Sequence, residues 1–170
     1  MKLKTLKNTM IMFLVNNLFA GAYLFEVKRR LLNGIGYSLG EGTKVVGPVY
    51  SPGKLKTGSH CWLGRNLTIH GNGAVEIGDN CNIAPDVTFL TGGYTMDSPD
   101  GAGEDQPVSI RVEEGCWVGT GVILCQNVAV GKGCMIIPNS CVMKNVPDIT
   151  MVGGVPARIM KKLDEKGLCD

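Results

Sequence analysis

The stretch VEEGCW-VGTGVI-LCQNVA-VGKGCM-IIPNSC-VMKNVP, residues 112–147, divides into six consecutive units of six residues. A branched aliphatic residue opens every unit, and the fifth place always holds a small or β-branched residue: Cys116, Val122, Val128, Cys134, Ser140 and Val146. An α-helix repeats its apolar residues every three or four positions and an alternating strand every two, so neither alone explains a period of six. Short strands joined by regular turns do explain it, and such repeats predict a parallel β-helix whose coils stack on one another.

The same pattern occupies much of the chain before this stretch. It is present in LGEGTK-VVGPVY (39–50) and LGRNLT-IHGNGA (63–74), and after a slip of two residues in IGDNCN-IAPDVT-FLTGGY (77–94). The rhythm stops in TGGYTMDSPDGAGEDQP, residues 91–107, whose glycines, proline and acids favour turns and solvent. We therefore predict an all-β solenoid over residues 35–157, with a loop excursion at 91–107.

Composition excludes several classes of function. A net charge of +2 without a long basic run, together with 6% aromatic residues, argues against a nucleic-acid interface. The seven cysteines contain no Cys-x-x-Cys pair, and three of them stand at the fifth place of a unit, where a small apolar residue points inward. We expect packed, reduced thiols and a cytoplasmic protein.

An amino-terminal helical segment is predicted over residues 1–34. Its apolar run, 8–25, is interrupted by two asparagines at 16–17 and followed by three basic residues at 28–30. A membrane-spanning helix needs about 20 apolar residues without such a break. We expect an amphipathic helix over the open end of the domain. The alternative is a peripheral helix that contacts a membrane surface through residues 8–30.

These residues resemble the hexapeptide-repeat acyltransferases, left-handed parallel β-helix enzymes that move an acyl group from a coenzyme A thioester. The resemblance covers about residues 35–163. Its carboxyl-terminal signature lies in four runs, CWVGTGVIL (116–124), VAVGKG (128–133), SCVMKNVP (140–147) and GGVPARIMKK (153–162). The coils before the loop, NLTI (66–69) and IGDNCNIAPDVTFLT (77–91), are similar to the maltose and galactoside O-acetyltransferase branch.

The resemblance implies a left-handed coil, a homotrimer with a cleft between subunits, and acetyl-coenzyme A as co-substrate. The acceptor it implies is a hydroxyl of a sugar or saccharide, and an amine acceptor stays open. We also expect a short C-terminal helix or tail at residues 158–170. The zinc carbonic anhydrases built on this fold need three histidine ligands, whereas this chain has two histidines, so we expect no metal.

The family's catalytic base is a histidine in a Thr-Gly-x-His sequence, and TGGY at 91–94 places Tyr94 there. A phenol with an ordinary pKa of about 10 is a poor base at neutral pH, whereas an imidazole at about 6.5 suits the task. One account makes His70 the base, because an eighteen-residue coil with a two-residue slip puts His70 beneath Leu90, at the loop root. In a second account Tyr94 acts, assisted by Asp97 or Glu104. In a third, the protein binds coenzyme A as a catalytically impaired structural trimer.

The cofactor positions match the family more closely. The resemblance implies that the backbone N–H of Thr120, after Trp117 and Gly119, faces the thioester oxygen as a preorganised donor. It also places four residues beside the pantetheine and phosphates of coenzyme A: Pro138, Lys144, Arg158 and Lys161. We predict that Asn66, Asn72 and Asp97 form hydrogen bonds with the acceptor.

Overall fold

The computed structural model describes residues 2–51, 54–92 and 108–164, with side chains described from Thr5 onward. Strands β1–β17 form three sheets that the chain visits in turn. Sheet A contains β1 (Ser38–Leu39), β4 (Leu55–Thr57), β7 (Ala74–Ile77), β10 (Ser109–Val112) and β13 (Ala129–Val130). Sheet B contains β2 (Lys44–Val45), β5 (Trp62–Leu63), β8 (Asn82–Ile83), β11 (Trp117–Val118), β14 (Met135–Ile136), β16 (Thr150–Gly154) and β17 (Ala157–Lys162). Sheet C contains β3 (Val49–Tyr50), β6 (Leu67–His70), β9 (Thr88–Leu90), β12 (Ile123–Leu124) and β15 (Cys141–Val142).

The register between coils measures the repeat directly. Regular coils pair residues 18 apart, as Trp117 with Met135, and the slip raises the spacing to 20, as in Trp62 with Asn82. Across the loop, Asn82 pairs with Trp117, a spacing of 35, so the loop adds 17 residues without changing which residues stack. The parallel solenoid predicted from the six-residue repeat is therefore confirmed, and the interruption at 91–107 is an insertion between two coils that still stack on each other.

The interior of the prism is filled by the first and fifth places of the repeat. Within residues 112–147 every one of these twelve side chains is buried: Val112, Cys116, Val118, Val122, Leu124, Val128, Val130, Cys134, Ile136, Ser140, Val142 and Val146. The fourth place turns the corner with a positive φ, for example 70° at Gly121 and 59° at Asn139. Glycine and asparagine are the residues that adopt this conformation at least cost, which explains their recurrence.

Four cysteines stack at the corner between sheets A and B, one on each coil. The sulfurs of Cys61, Cys81, Cys116 and Cys134 each lie 3.0 Å from a backbone carbonyl oxygen, those of Gly78, Glu113, Gly131 and Pro147 respectively. All four thiols are buried. They supply donors for carbonyls at a corner where the sheet ladder is interrupted, a structural use that agrees with the packing role expected from the fifth place.

The amino-terminal segment closes the first coil. Helix α1 (Lys2–Phe13) continues as a π-helical turn (Leu14–Leu18), and α2 (Phe25–Asn33) follows. Ile11, Val15 and Leu32 join the buried core, so the helical cover expected from residues 1–34 is present. None of the described helices is both long and apolar enough to cross a membrane.

Polar side chains of this segment cap the exposed strand edges of the first coil. The amide of Asn16 donates to the Val49 carbonyl and accepts from the Val49 N–H, both at 2.9 Å. Asn33 makes the same pair of bonds to Leu39, at 3.0 and 2.8 Å. Each side-chain amide thus replaces one rung of a neighbouring strand and blocks edge-to-edge pairing. The asparagine that interrupts the apolar run at 16 has this capping role.

The C-terminal helix predicted within residues 158–170 is wrong for the described part of that range. Residues Ala157–Lys162 form strand β17, which pairs antiparallel with β16 and makes a hairpin over the last coil. The six residues of this strand, ARIMKK, have a composition that favours a helix when no tertiary contact intervenes. Pairing with the exposed edge of β16 satisfies the backbone of both strands, and this tertiary contact overrides the local propensity.

Candidate active site

The chain leaves the solenoid to form the loop, and returns to it, at the corner between sheets C and A. The Thr91 hydroxyl accepts a hydrogen bond from the Gly73 N–H at 3.1 Å, and the Ala74 N–H donates to the Val108 carbonyl at 3.0 Å. A Cβ atom at Gly73 would collide with the Val108 carbonyl and with Thr91, so only glycine fits between the two ends of the loop. Gly73 therefore allows the departing and returning strands to meet.

His70 stands beside this loop root. It is the last residue of β6, it pairs with Leu90 as the coil spacing predicted, and its side chain is exposed. Its carbonyl oxygen accepts hydrogen bonds from both the N–H and the hydroxyl of Thr91. The imidazole has no hydrogen-bond partner among the described residues, so it is available to a ligand.

Gln126 also shapes the loop root, although the sequence analysis did not single it out. Its amide donates to the Gly92 carbonyl at 3.0 Å and so anchors the first residues of the loop to the next coil. Thr91 and Gln126 occupy the same third place of their units. Aligning the coils after removing 17 loop residues would have placed Gln126 directly above the loop root.

Thr120 lies at a different corner, between sheets B and C. It stacks between two prolines in the same third place, since the Gly121 N–H donates to the Pro85 carbonyl at 3.1 Å and the Asn139 N–H after Pro138 donates to the Thr120 carbonyl at 2.8 Å. The Thr120 N–H itself has no acceptor within the described part of the chain. A Cβ at Gly119 would lie 2.6 Å from the Pro138 nitrogen, so the backbone here is closely stacked and the free N–H is held in place.

Two of the three cationic residues predicted to bind the cofactor line the same cleft. Lys144 and Arg158 line one cleft of about 430 Å³, together with apolar side chains of the last coil such as Val142 and Ile159. Lys161 lies on β17 opposite Met151, on the hairpin over that coil. The cleft therefore combines two cations with an apolar floor, which suits an anionic ligand that also carries an aliphatic arm.

Trp117 lies on sheet B, away from both corners. It is half-buried and stacks between Asn82 on the coil below and Met135 on the coil above. Trp117 therefore supports the strand that leads, two residues later, into the corner that contains Gly119.

The predicted acceptor residues are divided between the corners. Asn72 follows His70 at the corner between sheets C and A. Asn66 lies at the corner between sheets B and C, with φ 57°, and its amide donates to the Asp86 carboxylate at 2.8 Å. Tyr94, Asp97 and Glu104 lie outside the described residues.

The two catalytic candidates are far apart within one chain. The path between them can be counted along sheet C. Thr120 lies three residues before Ile123, and Ile123 stacks on Thr88 of the coil below. Leu90 follows Thr88 by two residues and stacks on His70. Five residues of extended chain, up to about 16 Å, therefore separate the Thr120 corner from the His70 corner. The two corners therefore lie at opposite ends of sheet C in one subunit. Across the described ranges, no three His, Cys, Asp or Glu side chains are grouped as metal ligands.

The chain is similar to the galactoside O-acetyltransferase of Escherichia coli (strain K12), at 31% identity over 150 residues that cover 83% of this chain and 72% of that protein. The chain belongs to the hexapeptide-repeat acetyltransferase family. No family model matches it, so membership rests on this relative.

Two solved structures agree with membership in the family. A hexapeptide-repeat acetyltransferase from Vibrio cholerae in complex with acetyl-coenzyme A superposes with a TM-score of 0.82 at 27% identity, covering 96% of this chain and 89% of that one. A galactoside acetyltransferase in complex with coenzyme A gives 0.81 at 26% identity, covering 96% of this chain and 82% of that one. The predicted family, the left-handed β-helix class and the acetyltransferase class with acetyl-coenzyme A as donor are confirmed.

Proposed function

We propose that this hexapeptide-repeat acetyltransferase moves acetyl from acetyl-coenzyme A to a hydroxyl of a sugar or saccharide, in a cleft between the subunits of a homotrimer. The Escherichia coli relative is a galactoside O-acetyltransferase, which supports the acceptor class. The free thiols of the six described cysteines support a cytoplasmic location.

The separation of the two corners is the observation that carries the proposal. Among the described residues, neither the imidazole of His70 at the loop root nor the backbone N–H of Thr120 at the other corner has a hydrogen-bond partner. Because the two groups lie at opposite ends of sheet C, a site that uses both on one reacting carbonyl needs the two corners from different subunits. A cyclic trimer forms head-to-tail contacts, which bring one corner of a subunit against a different corner of the next.

The donor half consists of the Thr120 corner and the cleft at the last coil. The Thr120 N–H donates to the oxyanion that develops when the thioester carbonyl is attacked. Lys144 and Arg158 bind the anionic groups of coenzyme A, with Lys161 nearby on the hairpin. Trp117, Gly119 and Pro138 hold this surface in shape.

The acceptor half is the loop root. His70 removes the proton of the acceptor hydroxyl as it attacks, and Asn72 and the loop residue Asp97 bind the remaining hydroxyls. The support for His70 is that its side chain is exposed at the loop root and that its imidazole has no partner in the part of the chain that the structure describes. The competing base is Tyr94, and the two candidates are distinguished by mutation.

The direct test is release of coenzyme A thiol from acetyl-coenzyme A, measured with a panel of mono- and disaccharides and with amino sugars. An acceptor-dependent rate well above hydrolysis supports the proposal, and mass spectrometry of the product separates O- from N-acetylation. Thiol release that no member of the panel stimulates contradicts the sugar acceptor.

Mixed trimers test the shared site. Subunits carrying His70→Ala and subunits carrying Thr120→Pro are each expected to be inactive alone. In a mixed trimer, some interfaces join the intact loop root of one subunit to the intact Thr120 corner of the next, and activity should return. Mixed trimers as inactive as both parents would contradict a site built across the interface.

A coenzyme A-binding trimer without transferase activity is the second candidate, and it is favoured by Tyr94 in the place of the family's histidine. It predicts coenzyme A binding with no thiol release. Tyr94→His separates the accounts: a large gain in rate shows that the native position is impaired, and a loss shows that Tyr94 has its own role.

We also propose that α1 contacts an anionic membrane surface. Leu6, Met10 and Phe13 form one exposed stripe, with 69%, 58% and 58% of their surfaces accessible, and α1 carries lysines at 2, 4 and 7 but no acid. Co-sedimentation should show binding to vesicles that contain phosphatidylserine and none to phosphatidylcholine alone. Met10→Glu should abolish it, whereas Thr5→Glu, at an exposed position outside the stripe, should weaken it only slightly. Equal sedimentation of wild type and Met10→Glu would contradict the contact.

A further inference from the structure

Cys125 and Cys141 form a pair of thiols on the outer face of sheet C. Their sulfurs lie 3.8 Å apart, in van der Waals contact, and both residues are half-buried. The four cysteines of the corner between sheets A and B differ from this pair, because each is buried and lies against a carbonyl oxygen. Cys125 and Cys141 are thus two described thiols that combine mutual contact with partial access to solvent.

The pair connects two consecutive coils beside the candidate site. Cys125 follows β12 and Cys141 begins β15, and these strands are neighbours in sheet C. Gln126, the next residue after Cys125, holds the Gly92 carbonyl at the loop root. Lys144, three residues after Cys141, lines the cleft of the last coil. A covalent link between the sulfurs would therefore join the turn that contains Gln126, which anchors the loop, to the turn that contains Lys144.

We propose that Cys125 and Cys141 are an oxidisable thiol pair that closes to a disulfide between the fourth and fifth coils when the protein meets a peroxide or a disulfide oxidant. The sulfurs must approach by roughly 1.8 Å to reach an S–S bond of about 2.0 Å, which requires rotation of both side chains and a small shift of the turns.

The chemistry assigns a separate part to each thiol. Burial and the neighbouring sulfur of Cys141 raise the pKa of Cys125 to about 11, so Cys125 stays protonated at neutral pH. The Cys141 thiolate attacks one peroxide oxygen, forms a sulfenic acid and releases hydroxide, which takes up a proton to give water. Cys125 then attacks the Cys141 sulfur, loses its proton and displaces a second water. Two thiols are oxidised by two electrons in total, and one peroxide is reduced to two waters.

Closure should slow acetyl transfer, a consequence that rests on the proposed function. The turn shifts that closure requires act on the Gln126 contact to Gly92 and on the position of Lys144. We expect a fall in rate of about tenfold or more, reversed by dithiothreitol, because small misplacements of site groups have large effects on rate.

The experiment exposes full-length protein to hydrogen peroxide or diamide and maps disulfides by peptide mass spectrometry after alkylation of remaining thiols. Cys141→Ser and Cys125→Ser remove the pair, and Cys169→Ser, which removes a tail thiol, is the matched control. Wild type and Cys169→Ser should each lose two alkylatable thiols and yield the peptide linking 125 to 141. Both pair variants should resist oxidation and keep their activity.

The result that would overturn the proposal is recovery of Cys125 and Cys141 as alkylated thiols after oxidation, or their appearance in disulfides with other cysteines only. Peptide mapping decides this without enzymatic activity. Failure of the proposed function would instead show as absence of thiol release from acetyl-coenzyme A by the fully reduced protein, so the two failures are distinguishable.

Discussion

The backbone N–H and the hydroxyl of Thr91 both donate to the carbonyl oxygen of His70, at 2.7 and 2.8 Å. The same hydroxyl accepts from the Gly73 N–H at 3.1 Å, and Thr91 is buried. One side chain thus joins the start of the loop to the strand end that carries the candidate base. The His70 imidazole takes no part in these contacts and has no hydrogen-bond partner among the described residues.

Thr91→Val should destabilise this junction. Valine matches the shape of threonine but leaves the buried Gly73 N–H without its acceptor, which costs about 1–3 kcal/mol. We expect the free energy of unfolding in urea to fall by that amount and the transfer rate to fall further than stability alone explains. Thr91→Ser keeps the hydroxyl and should stay within about 1 kcal/mol of wild type. Equal stability of the valine and serine variants would contradict this role of the hydroxyl.

His70→Ala should lower the turnover number for acetyl transfer by about 100-fold or more, the usual contribution of a general base. Its exposed side chain has no partner among the described residues, so thermal stability and affinity for coenzyme A should change little. Initial rates of thiol release at saturating acetyl-coenzyme A measure the effect. His60→Ala is the matched control, because His60 occupies a turn with φ 57° at the corner between sheets A and B. Full activity of His70→Ala would exclude His70 as the base.

The placement of His70 beneath Leu90 could be predicted because a β-helix has one register per coil. Once the slip of two residues is allowed, every stacked pair follows by counting, and the pair His70–Leu90 is observed. The same counting also predicts that sheet C separates Thr120 from His70. Two features could not be predicted from the sequence. The residues of the β17 hairpin have no six-residue pattern. The caps formed by Asn16 and Asn33 depend on their contacts with strands of the first coil, which the repeat does not encode.

Lys28 links the amino-terminal cover to the first coil, and its fully buried ammonium group donates to the carbonyls of Gly21 and Val46 at 2.6 and 3.0 Å. Burial lowers the pKa of Lys28 to about 8, from an ordinary value of 10.5. Between these values the unfolded chain keeps the proton and the folded chain has lost it, so the free energy of unfolding rises with pH across this window.

Comparison with Lys28→Met isolates this effect. The difference in the free energy of unfolding, wild type minus variant, should increase between pH 8 and pH 10.5 by at most about 3 kcal/mol. Denaturant titrations at several pH values measure it, and Lys56→Met, at an exposed position on sheet A, is the control. A difference that stays flat or decreases with pH would contradict a buried lysine with a lowered pKa.

Lys144→Ala and Arg158→Ala should each weaken binding of coenzyme A by about tenfold, because both cations line one cleft and each loses a charge-assisted contact to an anionic group. Isothermal titration calorimetry measures the dissociation constant, and the effect should shrink at high salt. Lys132→Ala is the matched control, since Lys132 is paired with Glu114 at 3.1 Å and lies outside that cleft. Wild-type affinity in both cleft variants would place the phosphates elsewhere.

The Thr120 N–H, which has no acceptor within the described ranges, allows the most direct test of acetyl transfer at the corner between sheets B and C. Proline already occupies the same third place on the coils below and above, at Pro85 and Pro138, so Thr120→Pro should fold while removing one hydrogen-bond donor. We predict that Thr120→Pro lowers the rate of thiol release from acetyl-coenzyme A by about 100- to 1000-fold, with coenzyme A still bound, whereas Thr120→Ala stays near wild type. A Thr120→Pro protein that folds, binds coenzyme A and transfers acetyl at the wild-type rate would contradict the account.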